Sequence, residues 1–250
     1  EFPELKNRPV IIGECDPEGC AACGMATNSE NAYRNGTMYS SYTAASFARI
    51  YMLSQQTGVN LKGAVSWSFE FENQPWFYGY RDLATNGVDK PVLNVFRMFG
   101  KMPGKLVEVE DNRMYSLTTV VDSSVRGLQT DIGALASKNK RSAAVMIWNY
   151  HDEDKQGAAE PVELKVKRIT AKKVLLTQYR IDQDHSNSYA VWKKMGSPQH
   201  PTKQQIAALE KAGQLEILGS PEKLDAKGGT LSVSLSLPRQ GVALIKLDWL

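Results

Sequence analysis

The sequence predicts an α/β region followed by an all-β region. Two strand–loop–helix units occupy the first hundred or so residues, and from residue 105 onward the pattern changes to short strands separated by turn residues. Hydrophobic residues make up 42% of the chain, which is enough to form a core in each region. We therefore expect two domains, residues 1–104 and residues 105–250.

The first predicted unit begins with an apolar strand at residues 9–13. A loop rich in Gly, Cys and Asn follows as far as Gly36, and it is longer than most connections in compact domains. Residues 38–56 carry apolar side chains at helical spacing, with Gly58 as a stop signal. This order predicts strand, long loop and helix.

The second predicted unit begins with a strand at residues 64–72, which is apolar at its start and acidic at its end. A helix at residues 90–102 follows, and Pro91 suits its first turn. Because successive parallel strands have right-handed connections, the carboxyl ends of both strands should lie on the same rim.

The second region reads as an antiparallel β-sandwich. Its turn-forming clusters of Gly, Asp, Asn and Lys separate short strands, and one amphipathic helix at residues 201–213 interrupts them. The predicted strands are residues 113–121, 143–150, 162–169, 172–181, 229–237 and 241–247.

Charge and hydropathy limit the classes of partner. The formal net charge is +3 and the basic residues are spread along the chain, so we expect no nucleic-acid partner. No apolar run approaches the ~20 residues that span a bilayer, so we expect a soluble protein, with its compartment left open. The chain starts without Met, close to a strand, which suggests a truncated protein.

Three cysteines lie close together in the first loop, at Cys15, Cys20 and Cys23. The span is too short to hold together a domain, so we expect no disulfide framework. A structural zinc site needs four ligands and no His is nearby, so we expect loop-lining thiols, with neither metal nor cofactor. A metal-binding protein built on this cluster ranks last among the alternatives.

Carboxylates follow both predicted parallel strands. Glu14 comes after the first strand, and Glu70 and Glu72 end the second, beside Trp67 and Phe69. Catalytic groups of parallel α/β folds lie at the carboxyl ends of strands, and aromatic faces stack on sugar rings. The pattern favours a sugar site, although such carboxylates also serve as helix caps and such aromatics as core.

Two further acidic residues, Asp16 and Glu18, lie in the first loop. Because Pro17 and Gly19 mark a turn there, we expect both carboxylates to accept backbone hydrogen bonds.

The residues around Glu14 carry a resemblance to a known family. Residues 10–20, VIIGECDPEGC, resemble the seventh barrel strand and nucleophile loop of bacterial glycoside hydrolase family 39 β-xylosidases. Residues 67–77 resemble the eighth strand, and residues 180–202 resemble the accessory region. The resemblance covers essentially the whole chain. It implies the last β/α units of a (β/α)8 TIM barrel, strands 7 and 8 with their helices, followed by an accessory antiparallel β-sandwich.

The resemblance also implies a retaining glycosidase in the bacterial cytoplasm or periplasm. In such enzymes one carboxylate attacks the anomeric carbon, and a second, ~5–5.5 Å away, acts as acid and base. Glu14 is then the nucleophile, and Glu70 and Glu72 bind the hydroxyls of the xylose unit. The implied reaction releases xylose from β-1,4-xylo-oligosaccharides during xylan degradation. Trp67 and Phe69 are implied to form the pocket wall.

One departure from the family pattern limits this interpretation. The acid/base Glu of the family lies in an Asn-Glu-Pro motif after the fourth strand, and this chain contains no such motif. We therefore expect weak or no activity from the chain alone. Its partner would be the missing amino-terminal barrel segment or a self-association partner. The alternative is an inactive fragment that acts as a binding or oligomerising module.

Overall fold

The computed structural model describes residues 3–5, 7–155 and 157–250. Short 3-10 helices lie at Pro3–Leu5 and Ser29–Asn35. The α-helices are α1 (Thr37–Thr57), α2 (Pro91–Gly100), α3 (Leu117–Ser123), α4 (Ser188–Lys194) and α5 (Lys203–Gly213). The strands are β1 (Val10–Ile12), β2 (Leu61–Ala64), β3 (Ala84–Thr85), β4 (Val88–Asp89), β5 (Lys105–Val107), β6 (Asp131–Lys138), β7 (Ser142–Tyr150), β8 (Glu160–Val166), β9 (Lys173–Ile181), β10 (Glu216–Ile217), β11 (Glu222–Asp225), β12 (Leu231–Leu237) and β13 (Val242–Trp249).

Strands β1 and β2 form a parallel pair, as a β–loop–α unit requires, and α1 connects them. The prediction of a strand at residues 64–72 was wrong, because β2 ends at Ala64 opposite Ile12, the last residue of β1. A strand needs a regular ladder of backbone partners, and beyond Ala64 the pairing continues as isolated hydrogen bonds, from Val65 to Ile12 and from Cys15 to Ser66. The following segment makes a single bridge, from Ser68 to Asp82.

Most of the carboxy-terminal region forms a seven-stranded antiparallel sheet. Its order is β10, β9, β13, β7, β6 and β5, with β11 also pairing with β9, while β8 and β12 form a separate antiparallel pair. The predicted strands that became β7, β8, β9, β12 and β13 are confirmed within a few residues at each end. The sequence pattern missed β6.

The predicted strand at residues 113–121 is wrong. Its second half belongs to α3, which Ser116 caps by accepting a hydrogen bond from the backbone of Thr119 at 3.0 Å. The Ser116 side chain satisfies a free backbone N–H in the first turn of a helix, so the apolar residues that follow it are helical and not extended. The helix α4 was also missed, whereas α1, α2 and α5 are confirmed.

The large sheet is covered on both faces. One face, with Met146 and Trp148, packs against α1 and α2 through residues such as Tyr39 and Val95. The other face, with Ile147, packs against the β8–β12 pair. Because α1 shares a core with β7, hydrophobic packing crosses the predicted boundary between residues 104 and 105, and that division stays a prediction.

Helix ends follow ordinary capping chemistry. Gly58 ends α1 with a φ of 71°, a left-handed conformation that favours glycine, and its N–H donates to the carbonyl of Ser54 at 3.0 Å. Thr202 and Gln205 form a capping box at the start of α5. Within the described residues, no helix combines the length and apolarity that a bilayer crossing needs.

Candidate active site

Glu14 lies two residues beyond the end of β1, and its side chain is 48% exposed. Arg81 donates a hydrogen bond from Nη1 to Glu14 Oε2 at 3.0 Å. Among the described residues, no group donates to Oε1 of Glu14. The carboxylate therefore has one oxygen that a cation holds and one without a hydrogen-bond donor in the described structure.

Arg81 is almost fully buried, with a side-chain exposure of 3%. Its Nη2 donates to the carbonyls of Glu18 at 3.1 Å and Gly19 at 2.8 Å, and its backbone N–H donates to the carbonyl of Ala21 at 3.1 Å. Its Nε lies 3.8 Å from Oδ2 of Asp16. The loop after β1 thus fixes both the main chain and the guanidinium of Arg81.

Asp16 is the buried acidic centre of this loop. Its Oδ1 accepts hydrogen bonds from the hydroxyl of Tyr33 at 2.6 Å, from Nη2 of Arg34 at 3.1 Å and from the backbone of Glu18 at 2.9 Å. Burial, and then the negative charge of Asp16, raise the pKa of Tyr33, so this phenol remains a donor.

Arg34 is completely buried and binds the loop from the other side. Its Nη1 donates to the carbonyls of Cys20 and Cys23 at 3.0 and 3.2 Å, and its Nη2 donates to both the carbonyl and the carboxylate of Glu18 at 3.1 and 3.0 Å. Two arginines therefore hold the same loop, and its backbone carbonyls are satisfied without a helix or sheet.

The turn predicted around Asp16 and Glu18 is confirmed. Asp16 accepts from the backbone of Glu18, and Glu18 Oε2 accepts from the backbone of Cys20 at 3.1 Å. Both carboxylates therefore shape the turn, and each one also pairs with Arg34.

The expectation of three loop-lining thiols was wrong for two of them. Cys20 and Cys23 form a disulfide, with Cα atoms 5.3 Å apart, which closes one turn of the loop. Two residues separate the cysteines, and this spacing permits a local bridge that does not require a framework across the domain. Cys15 is free and half-buried, and burial raises its pKa.

The ends of β1 and β2 remain adjacent beyond their ladder. Cys15 donates its backbone N–H to the carbonyl of Ser66 at 3.2 Å, and Val65 donates to the carbonyl of Ile12 at 2.9 Å. The Ser66 hydroxyl also hydrogen-bonds to the buried hydroxyl of Tyr39 on α1. These contacts place the start of the segment after β2 beside the loop that carries Glu14.

The other residues predicted for the site follow β2. Trp67 and Phe69 are 46% and 58% exposed, and Glu72 is also exposed. Glu70 is half-buried and accepts a hydrogen bond from the backbone of Gly87 at 2.8 Å, in the turn between β3 and β4. Their roles in substrate binding stay predictions.

A buried ion pair between Asp82 and Lys90 supports this second segment. Lys90 also donates to the carbonyl of Tyr80 at 3.2 Å, and Asp82 forms the bridge to Ser68. Burial lowers the pKa of Lys90 and raises that of Asp82, since both charges have lost hydration. The pair ties the chain before α2 to the segment that follows β2.

Sequence reasoning missed Arg34 and Arg81. Neither arginine lies in a recognisable motif, and Arg81 is 67 positions away from Glu14 along the chain. The available signal was indirect, because an acidic loop that is buried needs cations to pair with it. Among the described residues, no three His, Cys, Asp or Glu side chains converge to hold a metal ion.

Comparison with known proteins gives the family. The family model for glycosyl hydrolases family 39 matches residues 1–227. A β-xylosidase of Geobacillus stearothermophilus is 24% identical over 170 residues, which are 68% of this chain and 29% of that protein.

Solved structures share the fold at low sequence identity. A monomeric β-xylosidase of Caulobacter crescentus is 16% identical with a TM-score of 0.73, over 97% of this chain and 46% of its own. A bacterial orthologue of human α-L-iduronidase is 15% identical with a TM-score of 0.77, over 98% and 42%. The chain thus spans less than half the length of these relatives. Because the family model matches most of its residues, the chain belongs to glycosyl hydrolase family 39.

Proposed function

We propose that the chain is the carboxy-terminal part of a retaining β-xylosidase and that Glu14 is the nucleophile. The observation that carries this proposal is the geometry of Glu14 at the end of β1, where Arg81 holds Oε2 and leaves Oε1 open. A nucleophilic carboxylate needs one oxygen aimed at the anomeric carbon and a fixed orientation for the other.

The proposed reaction proceeds in two displacement steps. Glu14 Oε1 attacks the anomeric carbon while the bond to the leaving oxygen breaks, and a general acid protonates that oxygen. The same acid, now a base, then removes a proton from water, which attacks the anomeric carbon and releases Glu14. Two inversions give net retention, and the acid/base comes from a barrel segment outside this chain.

The proposed substrate is a β-xyloside or a β-1,4-xylo-oligosaccharide. Trp67 and Phe69 present exposed aromatic faces next to the segment bonded to the Glu14 loop, and such faces can stack on the apolar side of a pyranose. The exposed carboxylate of Glu72 and the second oxygen of Glu70 are proposed to accept hydrogen bonds from sugar hydroxyls. The name of the Geobacillus relative, a β-xylosidase, supports a β-xyloside as the substrate.

The test uses the chain joined to the barrel segment that supplies the acid/base, which we call the joined protein. The substrate is 4-nitrophenyl β-xyloside. Glu14→Gln keeps the shape but removes the nucleophile, so we expect kcat/KM to fall by at least about 10³-fold. The matched control is Glu30→Gln, an exposed carboxylate to amide change outside the site, which should leave the rate unchanged.

The 250-residue chain alone should show little or no hydrolysis, because general acid assistance is typically worth about 10²–10⁴-fold. Full activity in the homogeneous chain, or in Glu14→Gln of the joined protein, contradicts the proposal.

A second candidate function is that of a binding or oligomerising module. It is favoured by the exposed apolar side chains at the parallel strands, since Ile11 and Val65 are 70% and 48% exposed next to Trp67 and Phe69. Self-association that covers this surface would raise the melting temperature as protein concentration rises. The module is supported if the joined protein remains inactive and Ile11→Ser abolishes that concentration dependence.

A further inference from the structure

We propose that Arg81 is a positioning residue for Glu14, holding Oε2 so that Oε1 is presented to the anomeric carbon. This inference rests on the proposed function, because it assigns to Arg81 a role that acts through the nucleophile. Sequence motifs did not indicate such a role, and the proposal depends on the contacts of one buried guanidinium with Glu14, with the carbonyls of Glu18 and Gly19, and with Asp16.

Of the two partners, Arg81 is the fixed one. Arg81 is 3% exposed and is held by the loop through backbone and side chain, whereas Glu14 is 48% exposed and lies outside any strand or helix. Among the described residues, Arg81 supplies the hydrogen bond to the Glu14 carboxylate. The fixed guanidinium therefore orients the exposed carboxylate, and without Arg81 the Glu14 side chain can sample other rotamers.

The distribution of charge also pairs Arg81 with Glu14. Asp16 gives its Oδ1 to Arg34 and Tyr33, while its Oδ2 has no hydrogen-bond partner in the described structure and lies 3.8 Å from Nε of Arg81. Asp16 therefore neutralises Arg34 at short range and Arg81 only at longer range. The remaining short-range anion for the Arg81 guanidinium is Glu14, at 3.0 Å.

The planar shape of the guanidinium lets Arg81 bind Glu14 and the loop carbonyls together. Arg81 uses Nη1 for Glu14 and Nη2 for the carbonyls of Glu18 and Gly19, two directions that a planar fork offers at once. A lysine ammonium is a single point charge on a flexible stem. Arg81→Lys therefore preserves the charge but loses the geometry that fixes Glu14.

The expected effect appears mainly in kcat. A displacement of about 1 Å in a reacting group can cost about 10²-fold in rate. Since Arg81 touches Glu14 and loop carbonyls, Arg81→Lys should lower kcat for the β-xyloside by about 10²-fold and change KM little. A role in substrate binding would instead raise KM.

The decisive experiment is a double-mutant cycle in the joined protein with 2,4-dinitrophenyl β-xyloside and azide. In Glu14→Ala, azide attacks the anomeric carbon from the vacated face, a C–N bond forms as the bond to the phenolate breaks, and the α-xylosyl azide results. If Arg81 acts through Glu14, Arg81→Lys lowers kcat in the Glu14 background and leaves the azide-rescued rate of Glu14→Ala nearly unchanged. An equal loss in both backgrounds overturns the inference, as does no loss in either.

Two controls separate the possible failures. Arg113→Lys changes an exposed arginine paired with Glu160 and should alter neither rate. If Glu14→Ala is fully active without azide, the proposed function fails. If Glu14→Ala is inactive but Arg81→Lys is fully active, only the inference about Arg81 is overturned. Where Arg81 variants do not fold, a crystal structure of the wild-type covalent intermediate decides. The inference is supported if Oε1 of Glu14 is bonded to the sugar while Oε2 still accepts a hydrogen bond from Arg81. The inference is overturned if the contact between Oε2 and Arg81 is lost.

Discussion

The two segments that follow the parallel strands differ in how far this chain satisfies their chemistry. After β1, the loop through Cys23 buries Asp16 between two arginines and closes one turn with a disulfide. After β2, Trp67, Phe69 and Glu72 are exposed. The support for the proposed nucleophile is thus internal to the chain, while the surface proposed to meet the sugar is only partly covered by the described residues.

The difference has a physical cause. A buried charge without its partner is strongly destabilising, so a loop with buried charges forms only when every partner is present. An exposed aromatic or carboxylate carries no such requirement. The first segment should therefore be sensitive to single substitutions within this chain, and the second should be sensitive only in the joined protein.

The largest effect is expected from Arg34→Met. Removing this guanidinium takes from the buried Asp16 carboxylate the cation that neutralises it at short range, so the free energy of unfolding should fall by about 3–5 kcal/mol. Urea unfolding followed by circular dichroism measures it. The control Arg113→Met breaks an exposed pair and should cost at most about 1 kcal/mol. Equal losses in the two variants would remove the contrast between buried and exposed charges.

A smaller loss is expected when the disulfide is removed. The bridge closes only a short loop, so replacing Cys20 and Cys23 together by Ser should lower the free energy of unfolding by about 2 kcal/mol in the chain-entropy model. Cys15→Ser serves as the matched control, because Cys15 is free. An unchanged unfolding midpoint in the double variant would show that the arginines alone hold the loop.

The reactivity of Cys15 gives a finer measure of loop closure. Burial raises its pKa above the ordinary 9.0, so at pH 8 less thiolate is present in the folded protein than in the unfolded one. Alkylation of Cys15 should be at least several-fold slower in the folded chain. The free energy of unfolding should fall as pH rises above 9.0, because the Cys15 thiol loses its proton first in the unfolded state. Equal alkylation rates in both states would indicate an open loop.

The smallest effect on stability is expected after β2. Trp67→Ser and Phe69→Ser remove exposed side chains and should change the free energy of unfolding by no more than about 0.5 kcal/mol. In the joined protein the same changes should raise KM for the xyloside, because stacking aromatics are worth about 0.5–1.5 kcal/mol. A large loss of stability with no change in KM would reverse the assignment of these aromatics.

Much of the fold could be predicted because its signals are local. The helical spacing that predicts α1, the Pro91 that opens α2 and the alternation in β8 and β12 all follow from neighbouring residues. The predicted strand at residues 64–72 failed because strand formation depends on a distant partner, and the aromatic-rich residues there have none along most of their length.

The site was only partly predictable for the same reason. Strand-end reasoning and the family resemblance single out Glu14, and its position after β1 follows from local sequence. Arg34 and Arg81 reach the loop from separate segments, and only tertiary folding brings their guanidinium groups to Asp16. The local disulfide was missed because an odd number of cysteines in a short span indicated thiols.

The most direct test of the central claim is covalent trapping. In the joined protein, a 2-deoxy-2-fluoro-β-xyloside with a good leaving group should glycosylate the nucleophile as the leaving group departs, and the fluorine slows hydrolysis of the resulting glycosyl-enzyme. We expect a mass increase of one fluoroxylosyl group, and peptide mapping should place that group on Glu14. Labelling of another carboxylate, or turnover without any covalent adduct, would contradict the assignment of Glu14 as the nucleophile.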